Sequence, residues 1–196
     1  MNIRPPIVLL LLLAIALFAS SSAAQQLPSS IRGYSVHRIT QKIHSADEQS
    51  DSTGPTVTIG PPDIVRLTLT DTTIEAGAEI RGLEQEGEVD FLTFKDIVAN
   101  GIPLNIEEYA HGFKLKKGEK VVLPFPVRGT VSSLVMARAA YEESTAPKDK
   151  WQVTGTVFVF GRFKKMGLTF KRVIPVPVTL TIDNPIRSIA AAAKAR

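Results

Sequence analysis

Apolar and polar residues alternate with a period of two through much of the chain that follows residue 63. In the first such run, Val65, Leu67 and Leu69 alternate with arginine and threonine. Because successive side chains of a strand point to opposite faces of a sheet, this pattern predicts a half-buried strand. Strand-like runs recur at residues 89–98, 102–106, 109–115, 120–123, 151–160 and 168–182. Residues 131–141 fit either a strand or a short helix.

Turn residues separate these runs. Asn100-Gly101 between two apolar runs is a strong hairpin signal, because both residues tolerate a positive φ. Further turns are expected at Lys117-Gly118 and across residues 161–167. Proline lacks the N–H that a central strand needs, so four prolines indicate edge strands: Pro124, Pro126, Pro175 and Pro177. About seven evenly spaced strands predict an all-β fold, an antiparallel sandwich or barrel.

The first 24 residues have the pattern of a secretory signal peptide. Arg4 precedes thirteen apolar residues, 7–19, and small residues lead to Ala24. A membrane-spanning helix needs about 20 apolar residues, so we expect cleavage after Ala24 and export, giving a periplasmic or secreted protein. In the alternative, the signal stays uncleaved and anchors the chain in the membrane.

The rest of the chain divides into three parts. Residues 25–62 are polar and interrupted by glycine and proline, which predicts a flexible linker. A short helix at 36–44 is the alternative there. Residues 63–183 carry the strand pattern and form the predicted domain, and residues 184–196 are a basic, alanine-rich tail.

Composition excludes several classes of function. The sequence contains no cysteine, which excludes disulfides, thiolate metal sites and lipoprotein attachment. It has 23 basic and 19 acidic residues, a net charge of +4. Removing Arg4 with the signal peptide leaves a net charge of +3, which is too small to indicate nucleic acid as a main partner.

The chain has three histidines, and none lies in a pattern typical of catalysis or metal binding. His37 and His44 are seven residues apart in the predicted linker, which is not a usual ligand spacing. Glu108 and His111 have the spacing of a helical metal motif, but in a strand residues three apart face opposite sides of the sheet. The sequence also lacks a nucleophile elbow, a phosphate loop and a dinucleotide fingerprint. We therefore expect no enzyme activity, no cofactor and no metal.

One pattern near the end of the chain is a candidate binding surface. Four phenylalanines interleave with five basic residues: Phe158, Phe160, Phe163, Phe170, Arg162, Lys164, Lys165, Lys171 and Arg172. In an exported protein, such a hairpin suits an anionic lipid or envelope polymer better than nucleic acid. The interpretation we favour is instead a hairpin with a buried aromatic face and a charged turn that blocks edge-to-edge aggregation.

Two segments carry a family resemblance. The first runs from Phe94 through Asn-Gly-Ile-Pro-Leu at 100–104 to Tyr109, and the second is an aromatic-x-Val-x-Gly pattern at 151–155. Together with the final strand-like run, they resemble the type 2 late embryogenesis abundant family, also called the WHy (water stress and hypersensitive response) domain.

The resemblance implies a seven-stranded, immunoglobulin- or fibronectin-like antiparallel β-sandwich without a catalytic centre. The family's turn motif corresponds here to Asn100, Gly101 and Pro103, with Gly101 where proline is usual. The family is linked to desiccation and stress protection, and some members associate with lipids or membranes. The expected function is therefore an exported, non-enzymatic protein that protects or binds envelope components under stress. The alternative is a binding module for an anionic lipid or envelope polymer.

These expectations also define the partners. We expect an envelope protein, lipid or polysaccharide, and no nucleic acid. Contact with the membrane is expected only through an uncleaved signal.

Overall fold

The computed structural model describes residues 27–37, 44–45 and 55–186. Most of these residues lie in strands, which form three sheets. The described ranges also contain one α-helix, α1 (Ser133–Thr145). The predicted all-β class is therefore confirmed. The predicted signal peptide and nearly all of the predicted tail lie outside the described residues.

The main sheet is built around one long hairpin. Its strands are β1 (Ser30–Ile31), β2 (Tyr34–Val36), β8 (Gly87–Ala99), β9 (Ile102–Pro103), β11 (Phe113–Leu115), β14 (Lys150–Lys165) and β15 (Leu168–Asp183). Their order across the sheet is β1-β2-β15-β14-β8-β11, and β9 also pairs with β8. β14 and β15 pair over their full lengths, so this hairpin fixes the register of the sheet.

Two four-stranded sheets complete the domain. The second sheet has the order β10-β13-β6-β5 and contains β5 (Asp63–Leu67), β6 (Asp71–Ala76), β10 (Asn105–Ile106) and β13 (Val127–Ser132). The third sheet has the order β12-β7-β4-β3 and contains β3 (His44–Ser45), β4 (Thr56–Ile59), β7 (Ala78–Arg81) and β12 (Val121–Val122).

The inner face of the main sheet packs against both smaller sheets. Near the β14–β15 turn, its core residues include Val89, Leu92, Phe163 and Ile174. Near the other end of the sheet, the core includes Ile97, Ala99, Trp151, Val153 and Leu180. The side chains alternate along β14, so Phe158 and Phe160 belong to a separate cluster on the outer face.

The predicted linker needs correction for residues 27–37 and 55–62. Strands β1, β2 and β4 lie in this segment and belong to the sheets. Tyr34 packs edge-on against Phe91 and Phe160 at ring distances of 5.8 and 5.2 Å, and its hydroxyl donates to Asp90 at 2.9 Å. A few apolar residues are thus enough to hold this polar segment on the main sheet, because β15 offers an edge on which β2 can pair.

Part of the predicted linker lies outside the described residues. Residues 38–43 and 46–54 lie outside the described ranges, and so does most of the alternative helix at 36–44. The two ends of that alternative lie in strands, Val36 in β2 and His44 in β3.

The predicted strand at residues 64–70 is present in part, but its burial is not as expected. β5 ends at Leu67, where a turn begins, and Leu67 and Leu69 are 69% and 100% exposed. A register shift between Ile64 and Arg66 interrupts the alternation, and β5 is the edge strand of the second sheet. Because this end of β5 lies at the edge of the sheet and beyond a bulge, its leucines are not buried as the period-two pattern predicts.

Two other boundaries differ from the sequence predictions. Residues 131–141 divide between strand and helix, because β13 ends at Ser132 and α1 begins at Ser133. The turn expected across 161–167 is confined to Met166 and Gly167, since β14 continues to Lys165.

Two of the four predicted proline edges agree with the structure. The backbone nitrogens of Pro175 and Pro177 point away from β14. On the same side of β15, the Val173 carbonyl accepts from the His37 N–H at 2.9 Å. Pro124 and Pro126 lie outside any strand, between β12 and β13, so the edge strand predicted there is wrong.

Candidate functional site

The predicted family turn forms a two-residue hairpin. Asn100 and Gly101 have φ values of +49° and +82°, and Ala99 pairs with Ile102 across the turn. Pro103 follows in β9, where it pairs with Val98. Positive φ at both central residues defines a type I′ turn, which is the form that Asn-Gly favours. The turn is therefore explained by hairpin geometry.

The structure separates the aromatic and basic residues of the predicted binding hairpin. Phe158, Phe160 and Phe163 are buried, and Phe170 is half-buried beneath the Arg172 guanidinium, which lies 4.5 Å from the ring centre. These phenylalanines are buried because β14 is one of the two central strands of the main sheet and is covered on both faces.

Several of the basic side chains already have partners in the fold. Arg162 lies 3.1 Å from Glu88 and 3.3 Å from Asp90, and Lys164 lies 2.6 Å from Glu86. The Lys171 ammonium lies 4.3 Å from the centre of the Tyr34 ring. Lys165 and Arg172 point to the inner face, as Phe163 does, where both lower the pKa of His37 after the larger effect of burial.

The histidine patterns acquire no chemistry in the fold. His111 lies in an extended segment, 4.2 Å from the Phe125 ring centre and 5.3 Å from that of Tyr109. Glu108 pairs with Arg32 at 2.6 Å. Within the described ranges, no group of three or more His, Cys, Asp or Glu side chains could hold a metal ion. None of the described helices is long and apolar enough to span a membrane.

A feature that the sequence analysis missed is an apolar cavity between the sheets, here called the intersheet cavity. Its volume is about 390 Å³. The main sheet contributes inward-facing side chains from its three longest strands: Leu92, Phe94, Val153, Val157, Val178 and Leu180. The smaller sheets contribute the opposite wall, which includes Ile59, Ile74, Ala76, Ile106 and Val127. Asp183 is the one charged residue among the described lining residues.

Sequence reasoning had one usable signal for this cavity. Five inward positions in the middle of the β14–β15 hairpin are valines, Val153, Val157, Val159, Val176 and Val178, whereas the outward positions of β14 include phenylalanines. Small inward residues leave space between two sheets that larger residues would fill. Val157 and Val159 remain only partly buried although they face inward, because they border this space.

A polar network fixes one end of the cavity. Trp151, which lines the cavity, donates from Nε1 to Glu143 Oε1 at 3.0 Å. Asn184 Nδ2 donates to Glu143 Oε2 at 2.6 Å and to the Lys148 carbonyl at 2.8 Å. The backbone N–H of Lys148 bonds to the Glu143 carboxylate, which lowers the pKa of Glu143, and the bonds from Trp151 and Asn184 lower it further. The network ties α1 to β14 and to the end of β15.

Comparison with known proteins gives little further information. No family model matches the sequence, and no curated protein matches it. Among solved structures, the chain is similar to a protein from Archaeoglobus fulgidus known from its crystal structure, with 14% sequence identity and a TM-score of 0.32. The match covers 65% of this chain and 97% of that chain. A similarity of this size carries no functional conclusion.

Proposed function

We propose that this chain is an exported, non-enzymatic β-sheet protein that binds an apolar molecule in the intersheet cavity. The observation that carries the proposal is the cavity itself, with its volume of about 390 Å³ and its almost wholly apolar lining. Small-molecule sites are typically apolar clefts or cavities of about 300–1,000 Å³ with few polar groups. A binding role also agrees with a sequence that lacks the patterns of catalysis.

The energetic cost of an empty cavity supports an occupant. Protein interiors contain few voids larger than a water molecule. Residual cavities destabilise proteins in proportion to their volume, because the residues that line them lose packing contacts. Whole domains are stable by only about 5–15 kcal/mol. An apolar ligand that fills the space would recover much of this loss.

The shape of the cavity favours an extended alkyl chain. Its floor follows β14 from Trp151 to Val159, and the eight residue-to-residue steps between them span about 27 Å. Half of a bilayer's hydrocarbon core is about 15 Å thick, so the cavity is long enough for the acyl chain of a lipid. Its walls are mainly aliphatic, which suits a chain that makes no hydrogen bonds.

We further propose that the domain is of the type 2 late embryogenesis abundant kind, with an immunoglobulin- or fibronectin-like sandwich, and that it protects the cell envelope under water stress. The sequence motifs at residues 94–109 and 151–155 and the all-β fold with sheets packed face to face support this proposal. A protein that holds lipid chains would act on the envelope directly. Export predicts an N-terminus within two residues of Gln25, which mass spectrometry of the processed chain measures.

A cavity-filling variant tests the binding proposal. Val157 lies on the cavity floor, paired with Phe94 on β8 and Val176 on β15. The Val157→Phe change places a ring in the binding space. Its matched control is Thr156→Phe, at the adjacent position of β14, which faces away from the cavity. The probe is the neutral fluorophore 1-N-phenylnaphthylamine, displaced by palmitate.

The proposal predicts saturable uptake of the probe by the wild type and by Thr156→Phe, and displacement by palmitate in both. Uptake by Val157→Phe should fall about tenfold or more, because the ring and the probe compete for one space. A wild type that takes up no probe after its own lipids are removed, or equal uptake by both variants, would contradict the proposal. A chain shortened after Asn184 adds a control. If it binds while the full chain does not, the cavity holds the chain's own C-terminal residues.

A further inference from the structure

We infer that the turn of the β14–β15 hairpin docks the protein on an anionic lipid bilayer, with Met166 and Leu168 entering the interface. This docking does not depend on the cavity being occupied. The residues Lys165, Met166, Gly167 and Leu168 are here called the hairpin tip. The inferred surface differs from the sequence prediction, which assigned the apolar contacts to phenylalanines that the fold buries.

The hairpin tip exposes apolar side chains where a turn usually has polar ones. Met166 is 94% and Leu168 63% exposed. Met166 and Gly167 have φ values of +52° and +78°, a type I′ turn whose first position favours asparagine, aspartate or glycine. A methionine with positive φ is uncommon and gains nothing from the fold when its side chain is in solvent. Contact with a partner outside the chain explains both observations.

The surroundings of the hairpin tip carry the charge that an anionic surface requires. A surface groove of about 530 Å³ lies at the base of the tip. Its charged lining residues are Lys117, Lys164, Lys165, Arg172, Glu84 and Glu86, with His37 beside them. Four cations against two carboxylates leave an excess of positive charge. Because Glu86 is held by Lys164, the groove presents Lys117, Lys165 and Arg172 to a phosphate group, with Glu84 as the opposing carboxylate.

The combination of features favours a bilayer over a soluble polyanion. A polyanion would need only the cations, and it would leave Met166 and Leu168 in water. A bilayer offers an apolar interior to the tip and phosphate groups to the surrounding cations at the same time.

The test is co-sedimentation of the processed full chain with vesicles of phosphatidylcholine and phosphatidylglycerol, compared with pure phosphatidylcholine. One variant combines Met166→Asn with Leu168→Thr. It retains the fold because asparagine suits the turn and threonine suits a strand. Its matched control is Leu69→Asn, which removes a fully exposed leucine from the Thr68–Asp71 turn. A third variant, Lys165→Gln, removes one cation.

We expect binding to the anionic vesicles that falls with added salt. The tip double variant should weaken it about tenfold, and Lys165→Gln should weaken it about fivefold. Leu69→Asn should leave it unchanged. Docking through the tip is overturned if the wild type does not sediment with anionic vesicles, or if the double variant binds like the wild type. Equal binding to soluble polyphosphate, insensitive to the double variant, would instead assign the surface to a polyanion.

Discussion

Filling the intersheet cavity should stabilise the lipid-free protein, which is the reverse of what a larger residue does in a packed core. Val157→Phe adds four carbon atoms to a side chain that borders the cavity. At about 0.8 kcal/mol per buried carbon, complete burial would add about 3 kcal/mol. A ring that contacts the walls on one side only would gain less, so we expect a gain of about 1–2 kcal/mol. In a filled core, the same change would cost about 1–3 kcal/mol through overpacking.

The assay is urea unfolding of wild type, Val157→Phe and the control Thr156→Phe, each after removal of bound lipid. The gain should appear as a higher midpoint with an unchanged slope. Adding palmitate should raise the midpoint of the wild type and the control but not that of Val157→Phe. A loss of stability of 1 kcal/mol or more in lipid-free Val157→Phe would refute the reasoning, because it would mean that the space is already filled by the protein.

Three further predictions concern the fold. Gly101→Val should cost about 1–2 kcal/mol in urea unfolding because of the φ of +82°, and Gly101→Pro should cost more, since proline fixes φ near −65°; Gly77→Ala, with open space around its Cβ, should cost little. The pKa of Glu143 is lowered, so its carboxylate stabilises the fold at pH values above the ordinary pKa of 4.5, and this contribution is lost as the pH falls below 4.5. The stability difference between wild type and Glu143→Gln should therefore narrow in acid. The pKa of His37 is lowered from 6.5, so the free energy of unfolding should decline as the pH falls below 6.5. NMR should find a titration midpoint of His37 below 6.5, and this midpoint should rise in Arg172→Gln.

The parts of the fold that local patterns encode were predictable. The Asn100–Gly101 turn depends on two residues that tolerate positive φ, and the structure has them there. The long strands β8, β14 and β15 follow from sustained alternation of apolar and polar residues. In contrast, α1 begins directly after a strand that carries β-branched residues near its end. The local pattern of residues 131–141 therefore fits a strand and a helix equally, and only tertiary contacts distinguish the two.

The candidate sites depend on distances between elements, which local patterns do not contain. An inward valine such as Val157 has the same pattern whether the opposite wall is in contact or several ångströms away. The burial of Phe163 likewise depends on the register of β14 against β8. The exposure of the hairpin tip could not be predicted either, because it depends on a turn confined to Met166 and Gly167, whereas the sequence predicts a turn across residues 161–167.

Mass spectrometry of the chain isolated from its native cell, under conditions that preserve non-covalent complexes, tests the central claim most directly. We expect about one alkyl-bearing molecule per wild-type chain, retained in Thr156→Phe and absent from Val157→Phe. A wild-type chain that carries no such molecule, or the same molecule in equal amounts on both variants, would contradict the assignment of the intersheet cavity as a binding site.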